Sequence, residues 1–259
     1  MPYFERTGLS TYRPTEHVSG AWNPDEQHVA PALGLLAHVT EQDRDSRRED
    51  RLLVTRLSYD IWGTIPMDEV TTSVRVLRPG RTVELVEASL SHDGRTAVTL
   101  RAWLMRPGQT DALAGGRLPA IPGPRETPGW DPTSVWPGGF IASAEVRRRQ
   151  EEPGRAVVWT TTDVALVDGE PVSTLARTAA MLDIVNGMSV RADPRAVAFP
   201  NLDLTAHLLR EPVGAWTGFD ATVSFGVHGV GVTSSVLHDE DGPLGTMAQT
   251  LTVRPSSRH

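Results

Sequence analysis

The feature that most constrains this chain is a stretch that cannot become helix or sheet, set between two halves that read alike. Residues 107–137, PGQTDALAGGRLPAIPGPRETPGWDPTSVWP, are rich in proline and glycine and show little apolar periodicity. Such a segment is expected to cross between units as a linker, dividing the chain into residues 1–106 and 138–259. The halves share a spacing. Asp93-Gly94 precedes Arg106-Pro107, Asp241-Gly242 precedes Arg254-Pro255, and each aspartate stands fourteen residues before its proline. Leu77-Arg78-Pro79 and Leu209-Arg210-Glu211-Pro212 both end a strand-like run. Duplication of one unit accounts for these matches and for the position of the linker.

Each half contains one helical pattern. In the first, Asn23-Pro24-Asp25 offers an N-cap followed by proline at the first helical position. Val29, Leu33, Leu36 and Val39 then recur at helical spacing, which predicts a helix over residues 23–42. In the second, PVSTLARTAAMLDIVNGMSV predicts a helix over residues 171–190, with Asn186-Gly187 as its terminating pair. The remaining runs are β-branched and alternating. LLVTRLSYDI, VTTSVRVL, TVELVEASL and TAVTLRAWLM lie in the first half. FIASAEVR, AVVWTTTDVAL and residues 202–209, 216–225, 229–237 and 244–253 lie in the second. Asp-Gly joins the last two runs of each half as a hairpin turn. One helix against an antiparallel sheet, twice, is an α+β pattern.

Composition removes several chemistries. The chain has no cysteine, which excludes disulfides, thiolate metal sites and cysteine nucleophiles. All of its 25 basic residues are arginine, so lysine Schiff bases and Walker P-loops are excluded as well. A net charge of −7 argues against nucleic acid or an anionic membrane as partner. No apolar stretch nears the roughly 20 residues of a membrane span, and MPYFERTGLSTYRP has no apolar core of a secretory leader. A cytoplasmic protein is expected. The eight histidines show no metal-ligand spacing, no glycine-rich dinucleotide fingerprint follows a strand, and no Gly-x-Ser-x-Gly elbow occurs; no cofactor is expected.

WNPDEQHVAPALGLLAH, RPGRTVELVEASLSHDGRTAV, AMLDIVNGMS, NLDLTAHLLREP and VLHDEDGPLGTMAQTLTVRP together resemble the acyl-CoA thioesterase II family, in its actinobacterial-type branch, over nearly the whole chain. The resemblance implies a double hot-dog fold, two helix-on-sheet units fused into one continuous sheet, with an acyl pocket between the two helices and a possible homo-oligomer. It implies hydrolysis of an acyl-CoA by water, without cofactor. It also implies a site in the second unit made of an Asp in the helix, a Ser or Thr at the start of the next strand, and a Gln in the last strand. These positions fall on Asp183, Asn201 and Gln249. Asn201 departs from the pattern: an amide donates and accepts hydrogen bonds, but it has no hydroxyl. A non-catalytic acyl- or CoA-binding protein is the alternative that this departure supports. A hydratase-like lyase is a further one: Gly20-Ala21-Trp22-Asn23-Pro24…His28 faintly resembles the hot-dog hydratase segment, but Ala21 stands where an Asp is needed.

The residues carry their own arguments. Ala176, Ala179, Ala180, Asp183 and Gly187 share one helical stripe, which places Asp183 on a face turned to the sheet. A buried carboxylate needs a partner or a task; a general base, a carboxylate bound by backbone N–H groups, and a solvated carboxylate off that stripe are all open readings. Asn186 could reach the same place, Asp203 shares the strand face of Asn201, and His207 could face it too; His28 reads as a helix histidine. By equal count from Asp-Gly, Gln249 matches Arg101 in the first half, and Glu69 takes the place of Asn201, so any catalysis is expected in one unit, with the other as scaffold. Arg47-Arg48 and Arg147-Arg148-Arg149 could meet coenzyme A phosphates; their acidic neighbours predict a self-compensated surface instead.

Overall fold

The computed structural model describes residues 1–255. Its strands are β1 (Phe4–Arg6), β2 (Thr11–Pro14), β3 (Leu53–Ile61), β4 (Val70–Arg78), β5 (Val83–His92), β6 (Arg95–Met105), β7 (Gly129–Trp130), β8 (Ala144–Glu152), β9 (Arg155–Thr162), β10 (Val197–Ala198), β11 (Asp203–Leu208), β12 (Thr217–Phe225), β13 (Val230–Asp239), β14 (Gly242–Thr252) and β15 (Arg254–Pro255). The helices are α1 (Val29–Arg47), α2 (Gly139–Ser143), α3 (Thr174–Ala179) and α4 (Val185–Met188).

Thirteen strands form one sheet in the order β1-β2-β4-β5-β6-β3-β11-β14-β13-β12-β9-β8-β7. Read outward from β3 and β11, the two halves repeat one another: β6 answers β14, β5 answers β13, β4 answers β12. The seam is an antiparallel ladder in which Thr205 lies opposite Ser58, their hydroxyls 2.9 Å apart. This is the double hot-dog, α+β architecture, with the two sheets fused through one strand from each unit.

The helices fill the inside of the sheet. α1 is buried on nearly every side through residues 30–41, because the sheet wraps it and α3 packs along it. The helices meet at Gly34, where a Cβ would lie 2.5 Å from that of Ala180 and 2.9 Å from the carbonyl of Ala176. Only a residue without a side chain lets the two backbones approach this closely. The small stripe of the second helix therefore faces α1, where the sequence predicted the sheet.

Four local expectations are corrected. First, α1 starts at Val29, six residues later than residue 23. Asn23 instead closes a turn by accepting the N–H of Asp25 at 3.1 Å, and Gln27 N–H donates to Ile65 O, holding this stretch extended until His28 caps the helix. Second, α1 runs on past Gln42 to Arg47, helped by the Arg47–Asp43 pair one turn apart. Third, the helix over 171–190 is broken. α3 ends at Ala179, Leu182–Ile184 is a 3-10 turn, and α4 follows; Asn186-Gly187 lies inside α4 and terminates nothing. Fourth, FIASAEVR opens as the helical turn α2, and its strand begins only at Ala144.

The segment 107–137 is less featureless than its composition. Gly129–Trp130 joins the sheet beside β8 as an edge strand. Backbone carbonyls of Pro119 and Pro122 accept from His238 and from the Trp159 indole, at 2.8 Å each. The segment is thus strapped to the second unit, using the carbonyls that proline retains. The two Asp-Gly turns also differ. His92 pairs with Arg95, so Asp93 and Gly94 are the central residues, both at positive φ (48° and 73°). In the second unit Asp239 pairs with Gly242, so the turn is Glu240-Asp241 and the glycine has moved into the strand.

That shift of one residue changes the matching of the two units. A one-residue slip flips every side chain to the other sheet face. Gln249 points inward and is 1% exposed, whereas Arg101 is exposed and pairs with Glu87. Counted from the seam, where Ser58 and Thr205 correspond, the counterpart of Gln249 is Ala102, which is buried. Likewise Asn201 precedes β11, whose counterpart is β3, so Glu69, which precedes β4, is not its match.

Candidate functional site

Asp183 lies in the 3-10 turn between α3 and α4, where the break in the helix sets its carboxylate against the first turn of α1 and the ends of β11 and β14. Its Oδ1 accepts two amide hydrogen bonds, from Asn201 Nδ2 at 2.6 Å and from Gln249 Nε2 at 3.1 Å. Its Oδ2 is 4.0 Å from His28 Nδ1. The three residues expected from the sequence therefore meet at one carboxylate oxygen. Asn201 also donates to Asp203 O at 3.3 Å and is paired across the sheet with Leu251, which fixes it at the strand entrance.

The electrostatics follow from this packing. Among the described residues no cation faces Asp183 at bonding distance. Burial disfavours its charge and outweighs the two amide bonds that favour it, so its pKa is pushed up to about 7. Burial acts on His28 in the opposite sense and lowers it to about 3, leaving a neutral imidazole. The two groups are thus not an ion pair. His28 Nδ1 accepts the N–H of Ala30 at 3.2 Å, which makes this side chain the N-cap of α1, and its ring packs on Phe140 with centroids 4.3 Å apart.

A cavity of about 570 Å³ opens beside these groups. Its wall includes Asp183, Asn201, His28, Trp22, Trp62 and Leu202, together with Asn186, and Arg254 is the one arginine among the described residues that line it. Trp22 is backed by Trp136 and Phe199 in edge-to-face contacts at 4.7 and 5.4 Å, a rigid apolar wall. Trp62 and Leu202 are 68% and 50% exposed, so apolar surface stands at the opening beside the exposed Asn23, Thr64 and Arg254. Gln249 is not part of the wall; it holds Asp183 from behind, and its Oε1 is buried with no donor among the described residues.

Other candidates lie elsewhere. His207 is exposed on β11. The Asp203 carboxylate accepts the N–H of Thr250 and takes no part in the cavity wall. The arginine runs are internally paired: Arg47 and Arg48 share Glu84, Arg147 pairs with Glu145, and Arg149 with Glu151; Arg148 lies over the Trp130 ring. The residue that the sequence reading undervalued is His28. Its signal was its place as the last polar residue before the apolar run Val29-Ala30-Pro31-Ala32-Leu33, which is the position of a cap. Among the described residues no group of three or more His, Asp and Glu side chains could hold a metal ion, and no helix is long and apolar enough to cross a membrane.

Comparison with known proteins bears on this geometry. A search of curated proteins finds no match. Among solved structures, a conserved protein of unknown function with a hot dog fold from Alicyclobacillus acidocaldarius is similar at TM-score 0.73 and 16% identity, over 97% of this chain and 95% of that one. The acyl-CoA thioesterase II TesB2 from Mycobacterium marinum is similar at TM-score 0.67 and 16% identity, over 99% and 96%. The tesB protein of Mycobacterium avium subs paratuberculosis gives 0.65 and 18%, over 97% and 96%. At these identities the likeness establishes the fold. Family models reach further: the acyl-CoA thioesterase N-terminal domain matches residues 18–105 and the acyl-CoA thioesterase C-terminal domain matches residues 115–253. With both halves matched in order, the chain belongs to the acyl-CoA thioesterase family.

Proposed function

We propose that this chain hydrolyses an acyl-CoA thioester to the free acid and coenzyme A, with Asp183 as general base. The observation that carries the reading is a buried carboxylate poised near neutral pH in a cavity wall, with one oxygen held by Asn201 and Gln249 and the other left for water. A base with a pKa near the working pH is the most effective one. In the first step Oδ2 takes a proton from water, the water oxygen bonds to the carbonyl carbon, and the carbonyl oxygen becomes an oxyanion. In the second the C=O bond re-forms, the C–S bond breaks, and the proton on Asp183 passes to the departing sulfur.

Asn201 and Gln249 act here as positioning residues. Both amides donate to Oδ1, so the missing hydroxyl at Asn201 is not needed to orient the carboxylate. Trp22, Trp62 and Leu202 suit an acyl chain, and Arg254 suits a phosphate of coenzyme A. The lyase reading is disfavoured by the imidazole: with Nδ1 accepting from Ala30, a neutral His28 carries its proton on Nε2 and has no free lone pair to act as base.

The test is free-thiol release from acyl-CoAs of increasing chain length. The wild-type protein should release thiol, and Asp183→Asn should lower kcat by about 10²- to 10⁴-fold while retaining acyl-CoA binding. Turnover unchanged in Asp183→Asn removes that residue from the chemistry. Binding without turnover by the wild type makes the chain an acyl-CoA binding protein.

A further inference from the structure

Proton transfer to Asp183 leaves one charge unattended, the negative charge that develops on the thioester carbonyl oxygen. In a site closed to water this charge needs fixed donors, and such donors are among the largest contributors to acyl-transfer catalysis. The first turn of α1 forms part of the cavity wall through His28 and Val29. Its backbone is a reduced donor set, because the N–H of Ala30 is taken by His28 Nδ1 and Pro31 has none.

His28 supplies what the backbone lacks. The bond from Ala30 N–H occupies the Nδ1 lone pair, which places the ring's single hydrogen on Nε2. The Phe140 ring, fully buried, holds the imidazole plane. His28 and Asp183 share one cavity wall, Nδ1 and Oδ2 4.0 Å apart, so a thioester carbonyl bound beside Asp183 can turn its oxygen toward the imidazole.

We propose that His28 is a catalytic residue of the hydrolysis, its Nε2–H donating to the carbonyl oxygen of the bound thioester as that oxygen takes on negative charge. This rests on the thioesterase reading above. The cap and the donor are two ends of one ring: the helix fixes the tautomer, and the tautomer aims a hydrogen at the substrate. Burial keeps the ring neutral, so the donor is present across the whole working pH range.

The test separates the donor from the cap. Serine also caps helices but cannot reach the substrate. His28→Ser should keep the fold and the Kd for a non-hydrolysable thioether analogue of acyl-CoA. Its kcat should fall about 10²- to 10³-fold, with the pH midpoint set by Asp183 unmoved. His28→Asn, which caps and offers a shorter amide donor, should recover part of the loss. Nitrogen-15 spectra of the wild-type imidazole provide a reading that needs no variant: a bare Nδ1 and a protonated Nε2 are expected, and the opposite tautomer overturns the proposal. A folded His28→Ser with kcat within twofold of wild type also overturns it. If Asp183→Asn loses turnover in the same experiment, only the His28 role falls; if Asp183→Asn is unaffected, the thioesterase mechanism itself falls.

Discussion

Two carboxylates lie at related contacts between the helices and behave in opposite ways. Asp183 is the tenth residue after Ser173, the N-cap of α3, and lies beside His28, the N-cap of α1. The tenth residue after His28 is His38, and it bonds to Glu170, just ahead of α3, at 2.9 Å. Asp183 receives only amide donors and rises to about 7. Glu170 receives Nε and Nη2 of Arg6, His38 and Gln42, and falls to about 2. The duplicated frame thus makes two acidic sites, and the presence of one arginine separates a clasp from the carboxylate proposed here as the base. Glu170 ties β1 to α1 and is finished as structure. Asp183 carries an unresolved electrostatic cost, and that cost suits the role proposed for it.

The comparison predicts stabilities of opposite sign. For Asp183 the folded pKa lies above the unfolded value, so the folded state holds an extra proton between pH 4 and 7 and loses stability as pH rises through that window. Asp183→Asn removes the charge and keeps the Oδ1 acceptor. It should melt higher than wild type at pH 8, by up to about 4 kcal/mol for a shift of this size, and should match it near pH 4. Thermal unfolding across pH measures both ends. A variant no more stable at pH 8 would mean that Asp183 is solvated and ordinary.

Glu170 gives the reverse. Its folded pKa is below the unfolded value, so its contribution is complete above about pH 5 and is lost as pH falls toward 2. Glu170→Gln should destabilise the protein at pH 7 by about 2–3 kcal/mol, leaving thiol release nearly unchanged. The same melts at pH 3 should show a much smaller difference. A loss of activity as large as the loss of stability would break the separation between clasp and base.

What the sequence disclosed follows the range of the interactions. The strands of both units were legible because alternation is a local signal, and the burial of Asp183 was legible from the stripe Ala176-Ala179-Ala180. The break after Ala179 was not, since ARTAAMLDIV has neither proline nor glycine where the helix changes; the close approach of α1 at Gly34 lies in the other unit. The match of Gln249 to Arg101 failed through one residue of turn, a difference visible only in the register of Asp239 with Gly242. At His28 the cap had a local signal in its place before the apolar run, whereas the approach to Asp183 across the units has none.

The finest test concerns the amides. Hydrogen bonds from Asn201 and Gln249 favour the charged form of Asp183, against burial. Gln249→Met removes one donor at similar volume, so the pKa of Asp183 should rise further, and the pH midpoint of kcat/KM should move upward from about 7 by up to about one unit, the worth of a single hydrogen bond of roughly 1 kcal/mol. Above the midpoint the rate should return to the wild-type plateau, because Gln249 acts through Asp183 and is not in the cavity wall. The variant should not be less stable, since it also removes a buried Oε1 that has no donor among the described residues. The equivalent change at the clasp, Gln42→Met, should leave the acid limb of stability almost in place, because Arg6 still dominates Glu170. A lowered plateau in Gln249→Met would instead put that amide in contact with the substrate, and the positioning role assigned to it would fail.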